Sequence, residues 1–235
     1  MEQIRKTVVG YSLIILTMIL CILLGNQAVT TFTEESIAQS AHCVVIDPGH
    51  GGEDGGAVSR SGIPESRYNL EISLRLNDLL NFLGYSTKLV RTTDVSVYTK
   101  GESLAQKKAS DLKERVKFVN ETEGALLISI HQNHYPDEKY SGAQVLYAAT
   151  EGSEQLAKQL QTALIWAFNP SSKRQIQKSR GIYLLEHIQC PGVLVECGFL
   201  SNAAEDRKLQ DPAYQKQLCS VIATTASRYL RTLDR

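Results

Sequence analysis

The sequence predicts an α/β domain built on a largely parallel sheet. Three observations carry that expectation. Short continuous apolar runs alternate with longer stretches of helical periodicity, the pattern of doubly buried strands joined by crossover helices. Glycine, proline and aspartate punctuate the joins. Three of the apolar runs end at or beside His50, His131 and Glu196, and sheets of this kind place their sites beyond the carboxyl ends of strands.

The elements follow in order. Cys43–Ile46 is a buried strand that stops at Asp47-Pro48-Gly49 and opens a glycine-rich loop through Gly56. Leu70, Leu74, Leu76, Leu79, Leu80 and Leu83 recur at helical spacing, and Gly84 stands where a C′ glycine belongs. Ser86–Val90 is the second strand. An amphipathic helix covers 111–122 through Leu112, Val116 and Val119. Ala125–Ile130 is a third buried strand, closed by His131. Another strand covers 143–148 and a helix 154–168, where Trp166 and Phe168 read as core. Val193–Val195 is a short strand ending at Glu196. Asp211-Pro212 supplies an N-cap and an N1 proline for a last helix to about Leu230. Arg91 is expected to pair with Asp94 and fix the loop after the second strand.

Composition narrows the function. The chain has 235 residues, enough for one domain or one domain with an appendage. Its 25 Lys+Arg balance 25 Asp+Glu, so it lacks the basic excess of a nucleic-acid binder. Five cysteines without a C-x-x-C pair exclude a disulfide-built scaffold and a zinc ribbon. Cys43, Cys190, Cys197 and Cys219 read as small buried hydrophobes. Cys197 is also expected on the strand face opposite Glu196, which argues against a catalytic thiol.

The N-terminus differs from the rest. Arg5 and Lys6 precede an uncharged apolar run from position 8 to position 24, about 25 Å long as a helix, slightly short of the roughly 30 Å hydrocarbon core. It reads as a secretory signal or a retained membrane anchor, with the anchor favoured because Gly25–Ala28 is not a clean cleavage site. Either reading sends the remainder outside the cytoplasm. The expected organisation is therefore 1–28 signal or anchor, 29–41 polar linker, and 42–235 a single catalytic domain.

The residues at the strand ends suggest a metal. His50, Glu65 and His131 supply two imidazoles and a carboxylate, a three-ligand zinc set that leaves a fourth position for water. Zinc brings the pKa of its water to about 7 and polarises a carbonyl. A separate carboxylate must then move the proton, and Glu196, flanked by apolar residues, is placed for that with a burial-raised pKa. The competing readings are hydrogen-bonded loop histidines and a surface carboxylate. Glu53 and Asp54, beside His50, are candidates for supporting the metal ligands or for contacting substrate, or else belong to a solvated loop. Asn133 is a candidate substrate contact.

The motifs make the reading more specific. Val45-Ile46-Asp47-Pro48-Gly49-His50-Gly51-Gly52, Glu65 before a helix, Ser129-Ile130-His131-Gln132-Asn133 and Val195-Glu196-Cys197-Gly198-Phe199-Leu200-Ser201-Asn202 resemble, in order, the zinc-dependent N-acetylmuramoyl-L-alanine amidases (the amidase_3 family). The resemblance runs from about Cys43 to Arg231. It implies a six-stranded sheet flanked by helices. It implies His50, Glu65 and His131 as ligands of one Zn2+, Glu196 as catalytic acid/base, and peptidoglycan as substrate. The cut bond would join the lactyl group of N-acetylmuramic acid to L-alanine. Lys107–Val116, Ser141–Gln144, Arg180–Leu184 and the short chain are similar to the spore-cortex members of that family. That similarity implies a step towards muramic-δ-lactam, carried out between the forespore and mother-cell membranes. His134 stands where a small residue is usual; a fourth ligand, a substrate contact and a surface residue are its three readings. The absence of wall-binding repeats motivates a regulatory protein partner. The competing functions are an exported zinc carboxypeptidase acting on wall peptides and a silent, membrane-tethered wall-binding domain; the intact four-residue set argues against silence.

Overall fold

In the computed structural model, β1 (Cys43–Pro48) lies between β2 (Ser86–Leu89) and β3 (Ala125–Asn133), parallel to both. The structure describes residues 42–233 and, before them, Leu16, Thr17 and Leu20. The apolar N-terminal run and the linker otherwise lie outside the described residues. Among the described residues, no helix is long and apolar enough to cross a membrane. The sheet continues from β3 to β6 (Gly192–Phe199), β4 (Gln144–Tyr147) and the two-residue β5 (Gln177–Lys178). Its order is β2-β1-β3-β6-β4-β5, six strands, all parallel except where β4 meets β6.

Alternation along the strands sorts the core into two layers. Val44, Ile46, Ile128, Val193 and Val195 pack under α1 (Glu65–Phe82), α3 (Ser153–Phe168) and α6 (Pro212–Leu233). Val45, Leu127 and Leu194 face the opposite way, towards α2 (Leu104–Asn120) and the short α4 (Tyr183–His187). Strands with helices on both faces bury every side chain, which is why they read as unbroken apolar runs.

One helix departs from its expected bounds and another is unexpected. α2 begins at Leu104, not at position 111. Ser103 caps it, accepting from Gln106 N at 3.3 Å, while the Gln106 side chain accepts from Ser103 N at 3.2 Å. Its first turns carry lysines and an exposed Leu104, so no apolar stripe announces them. α5 (Ala203–Gln210) is almost wholly polar and is set by its cap: Asn202 Oδ1 accepts from Ala204 N and Glu205 N at 3.0 and 3.1 Å. The expected Asp211-Pro212 start holds, with Asp211 Oδ1 accepting from Ala213 N at 2.9 Å. Trp166 is not core: it is 81% exposed, about 200° round α3 from the buried Leu164, while Phe168 packs against the core.

Two buried arginines fix the end of β1. Arg91 does not spend its guanidinium on Asp94. It donates to the carbonyls of Pro48, Gly49 and Ser66, each at 2.9 Å, and to Thr93 O at 3.0 Å, while Asp94 accepts from Gly52 N. Arg115, from α2, donates to Asp47 Oδ1 (2.5 Å), Pro48 O (2.9 Å) and His50 O (2.7 Å). Asp47 also accepts from Ser129 Oγ at 2.6 Å. Burial pushes the Asp47 carboxyl up, but the Arg115 charge and the Ser129 hydroxyl outweigh it and hold the pKa below the usual range. Burial, and then the neighbouring Arg115 charge, bring Arg91 down to about 10.

Removing one partner of a buried ion pair strands the other charge. Arg115→Met is therefore expected to cost about 3–5 kcal/mol at pH 7. With its pKa lowered, Asp47 contributes stability above the unfolded carboxylate range and loses it as pH falls. In the variant, unpaired burial raises that pKa, so the deficit should shrink between pH 7 and pH 4. Urea denaturation at both pH values measures this; an equal deficit at the two would contradict it.

Candidate active site

Three adjacent parallel strands deliver the site. His50 follows β1, His131 lies near the end of β3, and Glu196 lies in β6 directly beside His131 in the parallel register. Both β3 and β6 run past these residues, so His131 and Glu196 sit within strands and not at their ends.

His50 itself adopts a left-handed conformation, φ 60°, which side chains other than glycine rarely hold. The carbonyl it presents is held by Arg115. The turn aims the ring at Glu65, the first residue of α1, where a carboxylate also suits the positive end of the helix. His50 Nε2 lies 3.3 Å from Glu65 Oε2, and His131 Nδ1 lies 3.0 Å from Glu65 Oε1. The two imidazoles meet edge to face with centroids 5.0 Å apart. Backbone amides anchor the carboxylate from behind: Ala57 N donates to Oε2 and Gln132 N to Oε1, each at 3.1 Å. Gly49 allows this packing, because a Cβ there would fall 2.1 Å from His131 Nε2.

The electrostatics divide the carboxylates. Burial would raise Glu65, yet His131 and His50 outweigh it and drive its pKa far below the usual range. The same contacts raise His50: burial lowers it, but Glu65 and then Asp54, whose Oδ2 is 3.0 Å from His50 Nδ1, prevail. Glu196 goes the other way. Burial pushes it up to about 7, with His131 lowering, Glu65 raising and His50 lowering more weakly. Its Oε2 is buried with no hydrogen-bond partner among the described residues.

Among the described residues, the donor atoms of His50, Glu65 and His131 all lie within 4.8 Å of one another. Tetrahedral zinc with bonds of about 2.0–2.1 Å needs donors about 3.3 Å apart. His50 Nε2 and His131 Nδ1 lie 3.3 and 3.0 Å from the two different oxygens of Glu65, and two imidazole nitrogens with a carboxylate oxygen are a donor set that zinc takes. Glu196 does not join the cluster. It faces a cleft of about 240 Å³ that also touches His50, His131, Lys108, Ile182 and Leu184. A three-donor cluster beside a carboxylate whose pKa is raised by burial can bind a Lewis acid and move a proton next to it.

The other candidates lie outside that cluster. Glu53 lines a neighbouring pocket with Asp54 and Tyr98 and is held by Lys107 Nζ at 2.9 and 3.0 Å. Asp54 is shared between His50 and Lys108. Asn133 follows a register shift between β3 and β6, and its carbonyl accepts from Leu200 N at 2.8 Å. His134 lines a separate pocket with Val58, Arg60 and Tyr135. Cys197 faces the core, as expected, and burial pushes its thiol well up. Sequence reasoning missed Arg115, Asp47 as an ion-pair partner, and Asn69, whose Nδ2 donates to Glu65 Oε1 at 3.2 Å. The one available signal for Asn69 was its place a helical turn after Glu65.

A family model described as N-acetylmuramoyl-L-alanine amidase (Amidase_3) matches residues 44–227. The germination-specific N-acetylmuramoyl-L-alanine amidase of Bacillus subtilis (strain 168) is 37% identical over 196 residues, covering 83% of this chain and 82% of that one. The amidase LytC of the same organism is 31% identical over 191 residues, which cover 80% of this chain and 35% of LytC. Among solved structures, the CwlD amidase from Clostridioides difficile in complex with the GerS lipoprotein superposes with a TM-score of 0.77 at 33% identity, covering 81% of this chain and 99% of that one. An N-acetylmuramoyl-L-alanine amidase from Clostridium difficile 630 follows at 0.70 and 29%, over 82% and 98% of the two chains.

The Glu196 environment has a stability signature in metal-free protein. Its folded pKa of about 7 exceeds the ordinary 4.5, so the folded state holds the proton more tightly. Stability from this group is intact below about pH 4.5 and is lost as pH rises through 7, about 3 kcal/mol at 1.36 kcal/mol per unit. Glu196→Gln removes that loss. The variant should match the parent in EDTA at pH 4.5 and exceed it at pH 8, a difference that thermal and urea unfolding would register.

Proposed function

This chain belongs to the Amidase_3 family of N-acetylmuramoyl-L-alanine amidases and is an enzyme of that activity; from that premise we propose how its residues act and where. His50, Glu65 and His131 hold one zinc ion, and Glu196 is the catalytic acid and base. The substrate is peptidoglycan, cut between the lactyl carbonyl of N-acetylmuramic acid and the nitrogen of L-alanine. The observation that carries this reading is the buried, unpartnered Oε2 of half-buried Glu196, set in a cleft beside the three-donor cluster.

Zinc, when bound, supplies a Lewis acid for the amide carbonyl and favours ionisation of a water near neutral pH. The protein does the rest. Glu196 takes a proton from the attacking water and returns it to the departing alanine amine. Burial raises the Glu196 pKa above the ordinary carboxylate range, which suits a group that must take a proton before attack and give it up after. Asp54 turns the His50 ring towards the cluster, as carboxylates commonly do for imidazole ligands. Apolar Ile182, Leu184 and Leu194 line the cleft and lower the local dielectric, which strengthens each of these interactions. Asn133 and Glu53 are substrate contacts at the rim of the site.

We place the reaction in spore cortex, as the step that exposes muramic acid for conversion to muramic-δ-lactam. The similarity to a germination-specific amidase supports this, and an extracytoplasmic location follows from the substrate. The CwlD neighbour was solved with a lipoprotein, which supports a protein partner for this chain as well.

Mass analysis of cortex muropeptides tests the reaction. Digestion should release stem peptides with L-alanine at the N-terminus; trimming of peptide C-termini instead would favour a carboxypeptidase. Glu196→Gln should lower kcat/KM by about 10²–10⁴-fold without abolishing zinc binding. Chelation should silence the enzyme, and stoichiometric zinc should restore it. The partner is tested separately: purified enzyme at full activity on native cortex would make it unnecessary.

A further inference from the structure

Asn69 is fully buried on α1, one turn after Glu65. Its Nδ2 donates to Glu65 Oε1 at 3.2 Å and to Gly49 O at 3.1 Å. Its Oδ1 accepts from Gln132 Nε2 at 3.2 Å. Each partner stands at a different donor of the cluster. Gly49 precedes His50, Glu65 is itself a donor, and Gln132 follows His131.

We propose that Asn69 is the positioning residue of the metal centre, tying the β1 loop, the start of α1 and the end of β3 into one unit so that the three donors keep their spacing. This rests on the zinc reading above.

The chemistry of the amide supports the assignment. Three donors on three elements keep fixed distances only if the elements are tied where the donors leave them. Among the described residues, the Asn69 amide has hydrogen bonds that reach all three of these places. Both hydrogens on Nδ2 are committed to oxygens, and Oδ1 is committed to an N–H, so the amide has a single satisfied orientation. A flipped amide would set its oxygen against the Glu65 carboxylate and the Gly49 carbonyl. An aspartate would do the same with added charge. On Glu65, Oε1 accepts from Asn69 Nδ2 and Gln132 N while Oε2 accepts from Ala57 N, so three N–H groups fix the carboxylate beside the two imidazoles. Asparagine is a poor helix-interior residue, so helix propensity does not account for its presence here.

The test measures zinc binding, independently of catalysis, by chelator competition on full-length protein. Asn69→Leu keeps the approximate volume and removes every hydrogen bond. It should weaken zinc binding by about 10- to 100-fold, the usual effect of losing a group that orients a ligand. It should also alter the visible absorption of the cobalt-substituted protein. Gln132→Met releases the far side of the amide and should weaken zinc in the same direction by less. Leu76→Ala is the control: it truncates the core two turns further along α1, lowers thermal stability, and should leave zinc affinity unchanged. Should Asn69→Leu fail to fold, Gln132→Met against Leu76→Ala decides the matter. Variants that bind zinc within twofold of the parent would overturn the proposal, as would a loss matched by Leu76→Ala. A parent protein that binds no zinc would overturn the metal reading, and the positioning role with it, whereas unchanged binding in the variants alone would leave the metal reading standing.

Discussion

Three successive carbonyls at the end of β1, those of Pro48, Gly49 and His50, are held by the guanidinium groups of Arg91 and Arg115. The rest of the site depends on that constraint. A left-handed histidine costs on the order of 1 kcal/mol and persists only where its surroundings over-determine it. Here the surroundings are two buried cations, one neutralised by Asp47 and both satisfied by backbone oxygens. With the turn fixed, the His50 ring has one direction to point, and Glu65 is set at the start of α1 to meet it. The carbonyl of Ser66, also held by Arg91, ties the same helix start to the same guanidinium.

From that geometry follows a separation of roles between two carboxylates. Glu65 and Glu196 are both largely shielded from water, yet their pKa values move apart. Glu65 is surrounded by donors and imidazoles, so its charged form prevails. Glu196 has an apolar wall and an unpartnered oxygen, so its neutral form gains. Paired groups whose environments push them in opposite directions are the general means by which one site both holds a cation and shuttles a proton.

The sequence disclosed what periodicity and strand ends can disclose. Cys43–Ile46 and Ala125–Ile130 were legible because both faces of a central strand are apolar. His50, His131 and Glu196 stood out because a polar residue at the edge of such a run needs a reason. α5 was not legible: it is held by the Asn202 cap and has no apolar stripe to show. The start of α2 was hidden for the same reason, and the exposed Trp166 shows that an aromatic in a helical pattern need not lie on its buried stripe. The supports of the site were the least legible. Arg91, Arg115 and Asn69 find most of their partners among backbone carbonyls and side chains far away in the chain, and no local pattern encodes those pairings. The expected Arg91–Asp94 pair failed on that point, since proximity in sequence suggested a partner that the fold did not use.

The parallel register of β1, β3 and β6 also has a consequence in time. His50, Glu65, His131 and Glu196 come from four separate stretches of the chain and meet only after β1 has paired with β3 and β3 with β6. Such long-range pairings are slow to form, because loop closure must precede the contacts that reward it. A partly folded chain therefore has isolated imidazoles and carboxylates but no assembled centre. The capacity to cut a covalent network depends on the pairing of these three strands and belongs to no single stretch of the chain.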